Sequence, residues 1–272
     1  MKAFPMIRHR FSFTLALLLA LAAPTRADLP VRHSPVPGGV AILELPPMTS
    51  SARYRGQQVL VVAEGSRRVA VVGLPLDTQP GEQVIAVAGR TLSFNVEEKR
   101  YPTQHVTIKD TGKVDLSPEN LARVEREHAE IAALKKQFTP LAEPDLAFAA
   151  PADGPKSGRF GVRRVFNGKP RAPHSGLDFS VPKGAPIRSA AAGTVLATAD
   201  YFFNGKTVYE DHGQGLISRY CHLDRIDVAT GTPVARGDVL GTAGTTGRAS
   251  GPHLHWSVIL NGTMVDPELF LP

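Results

Sequence analysis

The sequence has a single cysteine, no long apolar run and little net charge. Because Cys221 stands alone, the chain cannot form an internal disulfide, and its position far from residues 1–27 excludes a lipid anchor there. The apolar run at residues 11–23 has 13 residues, short of the ~20 that span a bilayer. Residues 1–27 contain four cations and no acid, so the formal net charge of +6 falls to +2 without them, too little to indicate nucleic-acid binding.

The first 27 residues have the pattern of a secretory signal. A basic start precedes the apolar run, and Thr25 and Ala27 place small residues at positions −3 and −1 of a cleavage site. We predict cleavage near Ala27 and a periplasmic or secreted protein without a stable membrane anchor. An uncleaved anchor is the alternative. The lack of a recognisable wall-binding repeat and of a lipid-anchor cysteine favours the periplasm.

Residues 28–111 predict a small β-sandwich domain. Short runs rich in Val, Ile and Leu are separated by turns that contain Gly and Pro. The predicted strands lie at residues 40–45, 58–63, 68–73, 83–88, 91–96 and 105–109. Nothing in this domain has the pattern of a catalytic site.

Residues 112–156 predict a helix followed by a linker. Ser117 can cap the helix, Pro118 suits its first position, and apolar residues then recur at threes and fours. His128 falls on this apolar stripe, so we expect it to be packed. Residues 139–156 are rich in Pro and Ala, a composition typical of a linker between two domains.

Residues 157–272 predict a second, nearly all-β domain that contains most of the histidines. Glycines separate the clearest predicted strands, which lie at residues 193–199, 206–211, 216–222, 238–243 and 253–260. Five of the nine histidines follow residue 173: His174, His212, His222, His253 and His255. His212 precedes a glycine in a turn, which favours a structural role for it.

Two histidines of the last predicted strand face the same side. Residues i and i+2 of a strand share a face, so His253 and His255 lie side by side while Leu254 and Trp256 point the other way. A metal is the usual means of holding two neutral imidazoles together, and two histidines on a solvated face are the alternative. The spacing alone allows either histidine, or both, to bind the metal.

Three further residues extend this pattern. His174 precedes Asp178 by four residues, and Gly176 allows the chain to turn so that both side chains reach one ion. Histidine and aspartate are zinc ligands, and two histidines with one aspartate and a water make a catalytic four-coordinate site. His222 is the third element of the pattern. Together with the last strand, these residues predict a zinc site.

In the order and spacing of these motifs, the sequence resembles LytM/lysostaphin-type zinc metallopeptidases. This family cuts peptide cross-links in bacterial cell walls and includes murein DD-endopeptidases. The resemblance covers residues 157–272, and the matching segments are 157–161, 174–178, 211–213, 219–223, 241–247 and 251–255. It implies a mainly β fold, with a C-terminal antiparallel β metallopeptidase domain (a duplicated hybrid motif) that holds Zn²⁺ in an open groove. It also implies that the zinc ligands are His174, Asp178 and His255 and that the catalytic histidines are His222 and His253.

Histidines are the groups left to transfer protons. Glu210 and Glu268 are the only glutamates after Ser157, and neither lies in a His-Glu-x-x-His helix, which excludes a glutamate-base metalloprotease. We expect His253 to act as the general base and His222 to stabilise the oxyanion. The two roles can be exchanged.

Two residues are predicted to contact the substrate. Tyr220 is expected to line the groove beside His222, with packing in the core as the alternative. Arg171 ends the loop 163–171, whose four cations precede the first predicted ligand. A carboxylate of a peptidoglycan stem peptide is the expected partner of Arg171, and a solvated basic loop is the alternative. Cys221 is expected in the core.

The predicted function is that of an exported zinc metalloendopeptidase acting on peptidoglycan cross-links. The resemblance implies that the target is the bond between D-alanine and a diamino acid. The alternative is a non-catalytic LytM-like module that activates another cell-wall hydrolase, but such relatives lack zinc ligands and every ligand position is filled here. The N-terminal β domain is expected to position the enzyme or to cover its groove. The sequence does not show whether a regulatory protein binds the enzyme.

Overall fold

The computed structural model describes residues 29–107, 116–141 and 143–272. The predicted signal segment 1–27 and the end of the strand predicted at 105–109 lie outside these residues. Within them, no helix is both long enough and apolar enough to cross a membrane. The strands before the helix are β1 Val40–Leu45, β2 Ala52–Tyr54, β3 Gln57–Gln58, β4 Leu60–Glu64, β5 Arg67–Gly73, β6 Gly81–Val87, β7 Arg90–Val96 and β8 Thr103–Val106.

Strands β1 to β7 form the predicted sandwich. One antiparallel sheet has the order β1-β5-β4, and the other has the order β3-β2-β6-β7. Alternate residues of both sheets point into a shared core, which includes Ala41, Leu45, Tyr54, Val61, Ala70, Val72, Ile85 and Val87. Each strand predicted for this region overlaps an observed strand, because apolar runs and turn residues mark them clearly.

The β1-β5-β4 sheet is buried on both faces. The side chains of its second face join the main core of the following domain, and they are Val40, Leu60, Val62, Val69 and Val71. Continuous apolar runs are expected where a strand has no solvent-facing side. The first domain therefore has its own sandwich core and also contributes one sheet face to the core of the second domain.

Two amide side chains, which we name the side-chain clasp, fix this sheet to the second domain. Gln214 accepts a hydrogen bond from the Val61 N–H (3.0 Å) and donates one to the Val61 carbonyl (3.2 Å). Asn261 accepts one from the Gly73 N–H (2.7 Å) and donates one to the Gly73 carbonyl (3.0 Å). All four bonds are buried, so the clasp satisfies backbone groups of β4 and β5 that would otherwise lack partners.

The single α-helix of the described residues, α1 (Pro118–Lys135), begins where predicted. Ser117 is its N-cap, and the Ser117 hydroxyl accepts a hydrogen bond from the Asn120 N–H. Only Val124 is buried, and His128 is exposed, so the expectation of a packed His128 is wrong. The apolar contacts of the helix come from Ile131 and Leu134, which are partly buried against the second domain. Polar contacts add to them: Tyr201 donates a hydrogen bond to Glu130 (2.7 Å).

The segment predicted as a linker packs against the core. Leu146, Phe148 and Ala152 are buried among core residues, and the Phe148 ring lies 6.1 Å from the Trp256 ring. The Pro- and Ala-rich composition is typical of a linker, but Leu146 and Phe148 alternate along an extended chain and so face the same apolar surface. This segment closes the core of the second domain.

Thirteen short elements build the second domain. They are β9 Lys156–Gly158, β10 Arg163–Phe166, β11 Lys169–Pro170, β12 Leu177–Phe179, β13 Pro186–Arg188, β14 Gly193–Tyr201, β15 Gly205–Asp211, β16 Ile217–Ile226, β17 Pro233–Val234, β18 Val239–Ala243, β19 Leu254–Leu260, β20 Thr263–Val265 and a 3₁₀ helix Pro267–Phe270.

The main sheet of this domain brings β12, β16 and β19 together at its centre. Its order is β17-β14-β15-β16-β19-β12-β9, and all of its pairs are antiparallel. Trp256 and Leu254 of β19 are fully buried on the core side. In a separate small sheet, β10 pairs with β11 to form a hairpin at residues 163–170, which we name the basic hairpin together with Arg171. Strand β8 pairs in parallel with β10, so the end of the first domain lies beside this hairpin. The mainly β fold predicted from the sequence is confirmed.

Candidate metal centre and active site

His174, Asp178 and His255 converge on one point. His174 Nε2 lies 3.0 Å from Asp178 Oδ1 and 3.0 Å from His255 Nδ1, and His255 Nδ1 lies 2.8 Å from Asp178 Oδ1. In the described part of the chain, these three residues are the group of His, Cys, Asp or Glu side chains able to hold a metal ion. Ligand atoms that each lie ~2 Å from the same zinc ion are separated from one another by about these distances.

The register of two neighbouring strands produces this convergence. Asp178 on β12 lies directly opposite His255 on β19, and Leu177 lies opposite Trp256. Because directly opposed residues share a face, the packing of Leu177 and Trp256 in the core turns Asp178 and His255 to the other side. The core residues thus determine where the ligand side chains point.

Two glycines leave the space that the ligand side chains fill. A Cβ atom at Gly176 would lie 2.3 Å from the Trp256 carbonyl oxygen and 2.7 Å from His255 Nε2. A Cβ atom at Gly158 would lie 2.2 Å from Asp178 Oδ2. Only glycine permits such close approach, so both positions are required by packing around the ligands.

Contacts behind the ligands orient them toward a metal. His174 Nδ1–H donates to the Arg159 carbonyl (2.8 Å), which leaves Nε2 as the nitrogen with a free lone pair. His255 Nε2 lies 3.1 Å from Ser257 Oγ, which leaves Nδ1 for the metal. The second oxygen of Asp178 lies 3.6 Å from the Arg164 guanidinium. Each candidate ligand therefore presents one atom to the common point.

The charge states of two of these groups suit a divalent cation. Burial lowers the pKa of the His255 imidazole to about 3, although the Asp178 carboxylate acts in the opposite direction. Burial alone would raise the pKa of Asp178, but the contacts with His174 and His255 outweigh it and hold that pKa well below its usual range. A neutral imidazole and an ionised carboxylate are the forms that bind zinc, so these residues fit the ion.

His222 occupies a strained position in β16. The pairing of β15 with β16 shifts by one residue at Cys221 and His222, which makes a β-bulge, and the His222 backbone has φ of +64°. Its Nδ1–H donates to the Thr246 carbonyl (2.8 Å), so Nε2 can accept a proton. Burial lowers the pKa of His222 to about 4, so the ring is neutral at pH 7. Strain of this kind at a non-glycine residue is common in active sites.

His253 lies beside His222 and outside the metal group. Its Nδ1–H donates to the Gly251 carbonyl (2.8 Å), and its ring centroid lies 4.7 Å from that of His222. The His222 ring in turn lies 6.1 Å from the His255 ring. The structure thus separates the two histidines that the strand pattern left equivalent: His255 joins the metal group, and His253 pairs with His222.

Tyr220 does not line the groove, so that prediction is wrong. Its side chain is fully buried, and its hydroxyl accepts a hydrogen bond from the Ala190 N–H and donates to Glu210. The prediction assumed regular alternation along the strand from Tyr220 to His222. The bulge at His222 breaks that alternation, so Tyr220 faces the core with Trp256 while His222 reaches the site.

Arg171 lies on the basic hairpin next to the metal group. Its backbone N–H donates to the Arg164 carbonyl (2.8 Å), and the Arg164 side chain contacts Asp178. Arg248 stacks on the Phe203 ring, 4.2 Å from its centroid. Burial, together with the charges of Arg171 and Arg164, lowers the pKa of Arg248. Guanidinium groups from two loops therefore lie near one another, an arrangement that favours an anion.

Several residues of the site were not identified from the sequence. Thr246 and Gly251 act through their carbonyls, which no side-chain pattern reveals. Ser257 follows His255 by two residues, and strand alternation could have placed the two on one face. Arg219 on β16 lies opposite Ser257 on β19, and this neighbour can be identified only when the register of the two strands is known. Cys221 is buried as expected, and burial raises the pKa of its thiol.

Known proteins resemble this chain in both of its domains. Residues 172–267 match the model of peptidase family M23, and residues 33–99 match that of the peptidase family M23 N-terminal domain. Peptidoglycan DD-endopeptidase ShyA of Vibrio cholerae is 40% identical over 111 residues, which are 40% of this chain and 26% of ShyA. Peptidoglycan DD-endopeptidase ShyC of the same organism is 41% identical over 114 residues, which are 41% of this chain and 26% of ShyC. The match thus spans about a quarter of these relatives.

A solved structure extends the similarity to both domains together. A crystal structure from Pseudomonas aeruginosa assigned to peptidase M23 is 47% identical and superposes with a TM-score of 0.74. The superposition covers 88% of this chain and 95% of that one. The chain therefore belongs to peptidase family M23, a family of zinc metallopeptidases.

Proposed function

We propose that this protein is an exported endopeptidase that hydrolyses peptide cross-links of peptidoglycan at a zinc site made by His174, Asp178 and His255. The observation that supports this most directly is the convergence of these three side chains, at 2.8 to 3.0 Å, next to two further histidines. Relatives named peptidoglycan DD-endopeptidases support the substrate class. A complete ligand set beside proton-transfer groups is what hydrolysis of an amide requires.

The histidines outside the metal group move the protons in this mechanism. Zinc, when bound, polarises water and lowers the pKa of that water to ~7. His253 accepts the proton of the attacking water at Nε2, because its Nδ1 is occupied by the Gly251 carbonyl. His222 is neutral at rest; the proton that His253 takes from the water passes to His222 Nε2 in the neighbouring ring, and His222 then donates a hydrogen bond to the oxyanion and delivers this proton to the leaving amine. The Thr246 carbonyl stabilises that cation through Nδ1–H.

Arginines near the metal group bind the substrate in this proposal. Where the diamino acid is a dicarboxylic one, its cross-link to D-alanine has a free carboxylate beside the amide nitrogen. Arg171, with Arg164 and Arg248 nearby, supplies cations within the same region of the surface. A guanidinium pairs with a carboxylate through two parallel hydrogen bonds, which fixes the orientation of the peptide.

Digestion of purified sacculi tests the proposal. Mass spectrometry of the released muropeptides should show cleaved cross-links, and a zinc chelator should abolish them. His174→Ala, Asp178→Ala and His255→Ala should each remove activity, because each leaves zinc with two protein ligands. Full activity of any of these variants would contradict the proposed ligand set.

A non-catalytic activator of another hydrolase is the second candidate. The filled ligand set argues against it, because an activator needs no metal. The same digestion separates the two: an activator alone releases nothing from sacculi, and its effect on a second hydrolase survives the chelator.

Export depends on residues 1–27 in this proposal. Fractionation of cells should find the protein in the periplasm or the medium. Its N-terminus, determined by sequencing, should follow Ala27. Recovery of the full-length chain in the cytoplasm would contradict export.

A further inference from the structure

A buried guanidinium lies behind the candidate ligand His255. The Arg219 side chain is only 5% exposed, and within the described residues no carboxylate forms an ion pair with it. Its Nη2 donates to Ser257 Oγ at 3.0 Å and to Ser175 Oγ at 3.4 Å. A buried charge paired only with hydroxyls is costly, so its retention needs a reason other than ion pairing.

Arg219 lies next to the candidate ligand as well as opposite Tyr209 on β15. On β16 and β19, Arg219 lies opposite Ser257, and Cys221 lies opposite His255. These four residues share the face that carries the metal group. Arg219 Nη2 lies 3.4 Å from His255 Nε2, and Ser257 Oγ lies 3.1 Å from the same nitrogen.

The hydrogen-bonding capacities of the three groups fix their roles. If His255 Nδ1 binds a metal, its Nε2 carries a hydrogen and needs an acceptor. Arg219 has donors only, so it cannot be that acceptor. Ser257 Oγ can accept from His255 Nε2 on one lone pair while the other accepts from Arg219, and the second contact holds the hydroxyl in place.

We propose that Ser257 and Arg219 are positioning residues that hold His255 in its metal-binding orientation, with Arg219 acting through Ser257. This inference rests on the proposed ligand set and concerns zinc affinity. Neither Ser257 nor Arg219 makes a described hydrogen bond to His222 or His253, so the test measures zinc affinity and not catalytic rate.

Ser218 offers a matched control. Like Ser257, it is fully buried in the same pair of strands, and its hydroxyl has three partners: His212 Nε2 at 2.7 Å, the Tyr220 hydroxyl at 3.0 Å and Glu210 Oε2 at 3.2 Å. These partners lie on the opposite face of the sheet from His255. Ser218→Ala therefore removes a comparable buried hydroxyl without touching the ligand.

The experiment measures zinc affinity of the mature chain by competition with a chelating dye, together with thermal unfolding of the zinc-free protein. Ser257→Ala should weaken zinc binding about 10- to 100-fold, the usual effect of removing such a contact. Ser218→Ala should leave zinc affinity within about twofold while lowering the melting temperature at least as much. Equal zinc affinity of Ser257→Ala and the parent, or an equal loss in Ser218→Ala, would overturn the inference.

A double-mutant cycle tests the route through Ser257. If Arg219 acts through Ser257, the loss of zinc affinity in Arg219→Met should largely disappear when Ser257 is already alanine. Additive losses would overturn this part. If Arg219→Met does not fold, the comparison of Ser257→Ala with Ser218→Ala decides. A parent protein that binds zinc but releases nothing from sacculi would refute the proposed function while leaving this inference open to the same affinity test.

Discussion

Gly176→Ala should damage the metal site through packing alone. The added methyl group would lie 2.3 Å from the Trp256 carbonyl oxygen and 2.7 Å from His255 Nε2, where real contacts are no shorter than 3.0 Å. Neither neighbour can retreat easily, because Trp256 is fully buried and its peptide belongs to β19. The chain around Gly176 must therefore move by about 0.7 Å or more, at a cost of about 1–3 kcal/mol.

That displacement is large compared with the tolerance of a zinc site. Ligand distances hold to within about 0.2 Å, and Gly176 lies two residues from both His174 and Asp178. We expect zinc affinity to fall at least about tenfold and the melting temperature of the zinc-free chain to fall as well. Competition with a chelating dye and thermal unfolding give the two values.

Gly251→Ala is the matched control for this variant. Gly251 lies in the loop before β19, no atom lies within 4 Å of a Cβ placed on it, and its φ is not in the left-handed region. It should change zinc affinity and stability little. A Gly176→Ala protein with zinc affinity within threefold of the parent and an unchanged melting temperature would refute the packing argument.

Three further results are expected. Gln214→Ala and Asn261→Ala should each lower the free energy of unfolding by about 2–4 kcal/mol in denaturant titration, because each leaves buried backbone groups of β4 or β5 unpaired; a loss below 0.5 kcal/mol would show that the clasp is dispensable. In the zinc-free protein, the neutral His222 ring should account for a loss of up to about 3 kcal/mol of stability as pH falls from 6.5 to 4, because histidine protonates more readily in the unfolded chain, and the His255 ring, with a pKa of about 3, adds a loss of its own. His222→Gln should therefore make the slope of stability against pH shallower without abolishing it, and an unchanged slope would contradict the pKa of His222. Arg171→Gln should raise KM more for a cross-linked dimer with a free carboxylate than for its amidated form, and equal effects would exclude carboxylate recognition.

The sequence revealed most of the strands and the convergence of the site. Alternation on β19 correctly separated His255 from Leu254 and Trp256, because the core fixes which side faces in. It could not separate His253 from His255, since both share one face. That separation depends on β12, which lies opposite His255 and places Asp178 there.

The failures have local physical causes. Tyr220 was misplaced because the bulge at His222 interrupts the period of two, and a positive φ at a histidine leaves no mark in the sequence. The composition of residues 139–156 predicts a linker but gives no sign that Leu146 and Phe148 of this segment are buried. Arg219 was missed because its role arises from pairing with a strand almost 40 residues later in the chain.

Because the two domains pack against each other in one core, zinc binding to the second domain should stabilise both domains. Because one sheet of the sandwich is buried against the catalytic domain, neither domain can unfold without exposing the core of the other. When the free concentration of an ion is a thousand times its Kd, binding raises the free energy of unfolding by about 4 kcal/mol. Because β1, β4 and β5 pack against the metal-binding domain, this free energy stabilises these strands as well as the ligands. Zinc should therefore raise the resistance of the sandwich to heat and to proteolysis.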